Sequence, residues 1–121
     1  MANSAKEPAG QEAGNAPEAR ALDLAGLVKY ADGAVVSRTI ADGDGGSVTL
    51  FAFDAGQGLS EHSAPFDALV HVLEGQAEVT IAGGKTLARA GQLVVMPANV
   101  PHALRAMGRF KMLLTMLRSR S

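Results

Sequence analysis

From Ala34 to the C-terminus the chain is written in short apolar runs, each about ten residues after the last, with glycine or proline between them. That rhythm leaves no room for a long helix and predicts an antiparallel sandwich or barrel. Val35-Val36-Ser37-Arg38-Thr39-Ile40 is rich in β-branched residues and reads as a strand. Asp42-Gly43-Asp44-Gly45-Gly46 is turn chemistry. Ser47 to Phe53 alternates Val48, Leu50 and Ala52 with Thr49, Phe51 and Phe53, so both strand faces are partly apolar. Further strands are predicted at Leu69–Leu73, Ala77–Ile81, Thr86–Arg89, Leu93–Met96 and Phe110–Leu117, with a hairpin turn at Gly83-Gly84. In the last of these, Phe110, Met112, Leu114 and Met116 share one face.

Residues 1–20 lack aromatic and β-branched side chains and are expected to form a disordered tail. Residues 21–121 are expected to form one domain, with Leu22–Tyr30 a helical turn or an extended lead-in. Hydrophobic residues make up 47% of the chain, enough for a core. The net charge of −1 offers no basic surplus for a phosphate backbone, so nucleic acid is not an expected partner. Cysteine is absent, which removes disulfides, thiolate metal sites and cysteine nucleophiles. No apolar run is long enough to span a membrane, and the start does not read as a signal peptide, so the expected compartment is the cytoplasm.

Three short motifs fail on inspection. Asp42-Gly43-Asp44-Gly45 lacks the later ligands of a calcium loop, since Gly46, Ser47 and Phe53 stand at the required positions. Gly56-x-Gly58 continues to Glu61 rather than to a third glycine, so no dinucleotide fingerprint follows. Ser60 and Ser63 flank His62 without the context of a nucleophile elbow.

What remains is a pair of histidines, His62 after a glycine-rich break and His102 after the rigid bend Pro97-Ala98-Asn99-Val100-Pro101. Gly56, His62 and Gly75 keep the spacing of one two-part signature, and Gly91, Pro97 and His102 keep the spacing of its second half. On those residues, and on Val72-Leu73-Glu74-Gly75 and Met96-Pro97, the stretch from Val35 to Leu117 resembles a cupin. The resemblance implies an all-β antiparallel jelly-roll barrel, a double-stranded β-helix. Cupins usually hold a divalent metal with three histidines and a glutamate. Position by position, Ala64 stands where the second histidine belongs and Ala68 where the glutamate belongs. Asn99 replaces a glycine, a mild change because asparagine tolerates positive φ, and Ala106 replaces an asparagine.

The resemblance therefore carries over His62 and His102 as an incomplete metal set for Zn, Ni, Mn or Fe. The candidate pocket comprises Gln57, Glu61, His62, Met96 and His102, with Gln57 and Glu61 near the barrel mouth. If Ala68 faces inward, strand alternation turns Asp67 and His71 outward. Two functions stay open. One is an enzyme whose histidines hold a metal or act as acid and base on a small substrate. The other is a binding module without metal for a small, largely apolar ligand. The resemblance also implies a homodimer, with Val35–Ile40 as the segment to pair with a neighbouring subunit.

Overall fold

The computed structural model describes residues 19–118; the expected tail, 1–20, lies outside them save for its last two residues. Among the described residues nine strands run β1 (Val35–Gly43), β2 (Gly46–Phe53), β3 (Gly58–His62), β4 (Phe66–Glu74), β5 (Gln76–Ile81), β6 (Gly84–Arg89), β7 (Leu93–Met96), β8 (His102–Ala106) and β9 (Phe110–Arg118). They form two sheets, one of five strands in the order β1-β2-β9-β4-β7 and one of four in the order β3-β8-β5-β6. All pairings are antiparallel, and the two sheets enclose an apolar interior, as the sequence rhythm predicts.

The turns follow their residues. Ala82 and Gly83 both take positive φ, 50° and 86°, between the paired Ile81 and Gly84, the geometry of the tight turn that matches strand twist. Gly75, at φ 77°, sits so close to the backbone of Arg109 that an added Cβ would strike the Arg109 carbonyl oxygen. Asp44 and Gly45 turn the β1–β2 hairpin, so the acidic glycine-rich loop is a connector.

The alternation in β2 is resolved by two separate clusters. Phe51 and Phe53 point into the barrel, where Phe53 meets Phe110 at 5.1 Å between ring centroids. Leu50 and Ala52 point the other way and are also buried, under Val28. The lead-in segment is a 3₁₀ turn at Leu24–Leu27, and it lies across the outer face of the five-stranded sheet together with Tyr30. Val36 and Ile40 of β1 join that cover, and β1 pairs with β2 of its own chain. The outer apolar side chains of β1, Val36 and Ile40, thus pack against the lead-in segment, and β1 stands at the edge of its sheet.

Long-range polar contacts fasten this cover. Lys111, buried on β9, donates from Nζ to the Ala25 carbonyl at 2.6 Å and lies 4.9 Å from the centre of the Tyr30 ring. The Tyr30 hydroxyl donates to Glu74 Oε2 at 2.6 Å, and its pKa is driven well up by burial and then by that carboxylate. Asp54 accepts from Gly33 N at 2.6 Å and from Arg109 Nε at 2.9 Å, while Arg109 Nη2 reaches Asp32 at 2.7 Å. Arg109, itself exposed, thereby bridges Asp32 and Asp54. Among the described residues, no helix is long and apolar enough to cross a membrane.

Candidate functional site

The two strands that carry the histidines, β3 and β8, were not legible as strands, and they pair with each other. His62 ends β3 and His102 begins β8, and the two residues are direct cross-strand partners. Their ring centroids lie 4.5 Å apart with planes at 69°, an edge-to-face contact.

A β-bulge makes this possible. Leu59 pairs with Leu104 and His62 with His102, so β3 advances three residues while β8 advances two. Strict alternation from the inward Leu59 would turn Glu61 in and His62 out. The extra residue in β3 restores His62 to the interior side. For the same reason Glu61 is exposed and does not line the cavity. Gln57 lies outside the cavity as well, its backbone tied to Ala106 and Asp54. Both therefore depart from the expected pocket, whereas His62, Met96 and His102 do line it.

The cavity between the two sheets is small, about 50 Å³. Its wall is Leu59, Phe66, Val70, Met96, Leu104, Met112, Leu114 and Met116, with Ala64, Ala68 and Ala103 as the small positions. His102 is buried at 7% exposure, and His62 is exposed at the mouth. The thioethers of Met96, Met112 and Met116 share the wall, as the one-face pattern of β9 predicts for the last two.

Each ring is fixed in the same way. His62 Nδ1 donates to the Ser60 carbonyl at 2.8 Å, and His102 Nδ1 donates to the Val100 carbonyl at 3.1 Å. A carbonyl only accepts, so Nδ1 carries the proton in both rings. In the neutral form of each ring Nε2 then holds the lone pair, open to a hydrogen bond, a proton or a metal ion. Asn99, at φ 65°, shapes the bend before His102, and its N–H donates to the Ala64 carbonyl at 2.7 Å. Asparagine here does what glycine would, as its tolerance of positive φ implies.

The donor set does not fit a firmly held divalent metal. Ala64 and Ala68 both face the cavity, so the positions that would carry further ligands are present but chemically inert. Asp67 points away and accepts from Ala98 N at 2.9 Å. His71 alternates outward with it, and no group of three or more His, Cys, Asp or Glu among the described residues converges on a point.

A two-sheet antiparallel barrel with histidines at the mouth of an internal cavity is the architecture of the small jelly-roll proteins. Within that class, the cupin-domain family profile matches residues 49–117, and the chain belongs to the cupin superfamily. It is similar to a conserved protein of unknown function from Streptococcus pyogenes, with 38% identity, a TM-score of 0.81 and 88% of this chain covering 94% of that one. It is likewise similar to a cupin superfamily protein from Desulfitobacterium hafniense, with 33% identity, a TM-score of 0.80 and 87% of this chain covering 96% of that one. A cupin 2 conserved barrel domain protein from Leptotrichia buccalis shows 36% identity and a TM-score of 0.78 over 80% of this chain, which spans 47% of that protein. Comparison with the curated proteins gives no match.

Proposed function

We propose that this cupin binds a small molecule in the cavity between its sheets, with His62 and His102 as the polar contacts. One observation carries the reading: the two rings are the polar side chains of an otherwise apolar wall, and both are pre-oriented by backbone carbonyls. A largely apolar pocket with a few fixed polar groups is the usual design of a small-molecule site. Methyl NMR during titration with a small-molecule panel tests it. The expected result is saturable shifts at Ala68, Val70 and Met112. A folded protein whose cavity methyls respond to nothing in the panel overturns it.

A metal ion is the other occupant that the free Nε2 atoms could take, with Zn, Ni, Mn or Fe as the expected candidates. Two imidazoles make a leaky site, which is why the metal-free reading ranks first. Elemental analysis of untagged protein separates the two. Near-stoichiometric metal that disappears in both His62→Ala and His102→Ala would replace the metal-free reading with the metal one.

The same reading includes a homodimer. Leu93 and Val95 on β7 and Leu117 on β9 are 57%, 56% and 46% exposed on the outer face of the five-stranded sheet, beyond the end covered by Val28. An exposed apolar sheet face suits the self-complementary contact of a twofold pair. Sedimentation at the mass of two chains is the expected outcome, and the mass of one chain removes the proposal.

A further inference from the structure

The chemistry of the wall narrows what the cavity accepts. This step rests on the pocket reading above. Apart from the two rings, no lining side chain carries a charge or a strong hydrogen-bonding group. Both Nδ1–H donors are already engaged by the carbonyls of Ser60 and Val100. In these tautomers the side chains present two acceptors, His62 Nε2 and His102 Nε2, and no donor. We infer that the cavity takes a small uncharged molecule whose polar group donates a hydrogen bond: an alcohol or phenol with an apolar body.

The competing classes fail on specific grounds. Against the neutral rings a carboxylate or phosphate brings lone pairs to lone pairs, and with no lysine or arginine on the wall it could be held only by also protonating an imidazole. An ammonium could donate to Nε2, but no carboxylate lines the cavity, so its charge would be desolvated without compensation. Ketones and ethers offer only acceptors and leave the imidazole nitrogens unpaired when water is displaced. A hydroxyl satisfies one Nε2 directly. Its apolar body then meets Phe66, Leu114 and the thioethers of Met96, Met112 and Met116, which adapt to irregular shapes and favour aromatic edges.

The test is calorimetric titration with matched probes: para-cresol against para-methylanisole and para-toluate, and hexanol against hexyl methyl ether. The expected result is that each hydroxyl compound binds roughly tenfold or more tighter than its ether, because the ether leaves a buried acceptor unpaired. Para-toluate is expected to bind more weakly than para-cresol. In His62→Phe, whose site at the mouth tolerates a ring of similar shape, the hydroxyl-to-ether ratio should fall substantially. A loss of affinity shared equally by alcohol and ether would instead mark His62 as packing only.

Ala68→Leu, which fills the wall, keeps the two levels of the argument apart. If alcohol and ether bind equally and both are blocked by Ala68→Leu, the ligand class is wrong and the pocket stands. If para-toluate binds tightest, the ligand class is again wrong. If none of the probes binds, or if binding ignores Ala68→Leu, the pocket reading fails with it.

Discussion

His62 and His102 face each other across β3 and β8 as direct strand partners, their ring centroids 4.5 Å apart, and each ring is hydrogen-bonded to the carbonyl two residues before it. The pairing therefore specifies a protonation pattern as well as a position. Long-range proton–nitrogen NMR in mildly alkaline buffer should show both imidazoles as the Nδ1–H tautomer, the minor form of free histidine. The Nε2–H tautomer at either ring would contradict the arrangement.

Removing the Tyr30 hydroxyl should loosen the cover over the five-stranded sheet. Tyr30→Phe keeps the ring between Lys111 and Arg109 but loses the 2.6 Å bond to Glu74. The expected cost is about 1 kcal/mol. It should appear as a lower urea midpoint and faster amide exchange in residues 24–34. Unchanged exchange there would show that the apolar contacts of Val28 hold the segment alone.

Acid should undo the Asp54 fastening. The Gly33 N–H, then the Arg109 guanidinium, hold the Asp54 carboxyl down at about 2, below its ordinary value of 3.8. A carboxyl with a lowered folded-state pKa supplies stability that is complete above the unfolded value and drains away as pH falls toward the folded one. The stability gap between wild type and Asp54→Asn should thus be constant near neutrality and shrink between about pH 4 and about pH 2. Parallel acid-unfolding curves over that interval would refute the assignment.

Two left-handed positions should tolerate glycine and resist most residues with a Cβ. Asn99→Gly should leave stability nearly unchanged, whereas Asn99→Val, forced to φ 65°, should cost about 1–3 kcal/mol. Gly75→Ala should be worse than its positive φ alone implies, because the new methyl meets the Arg109 carbonyl. Thermal unfolding of the three variants checks the order, and an Asn99→Val protein as stable as wild type would show that the bend relaxes freely.

The interior should punish truncation. Phe53 and Phe110 are fully buried against each other, so Phe110→Ala should cost about 3–5 kcal/mol. A denaturant midpoint within error of wild type would mean that the cavity side of the barrel collapses to fill the gap.

What the sequence made legible follows from where the signal lies. β2 and β9 announce themselves through apolar alternation and bounded ends, and Asn99 sits at positive φ where it replaces a glycine. β3 and β8 do not, because Gly58, Ser60, Glu61 and Arg105 dilute their apolar content, and pairing within the four-stranded sheet carries them. The bulge that sends His62 inward and Glu61 outward leaves no mark in local composition. The fastening of the lead-in segment joins residues as far apart as Ala25 and Lys111, beyond any local pattern.

The anchoring of both imidazoles to their own strands insulates the pair from its surroundings. No third side chain chooses the tautomer, so the wall at Ala64, Ala68 and the methionines is free to diverge without disturbing the two acceptors. A lineage could then exchange one ligand for another by resizing alanines alone, keeping the same polar grip for each new occupant.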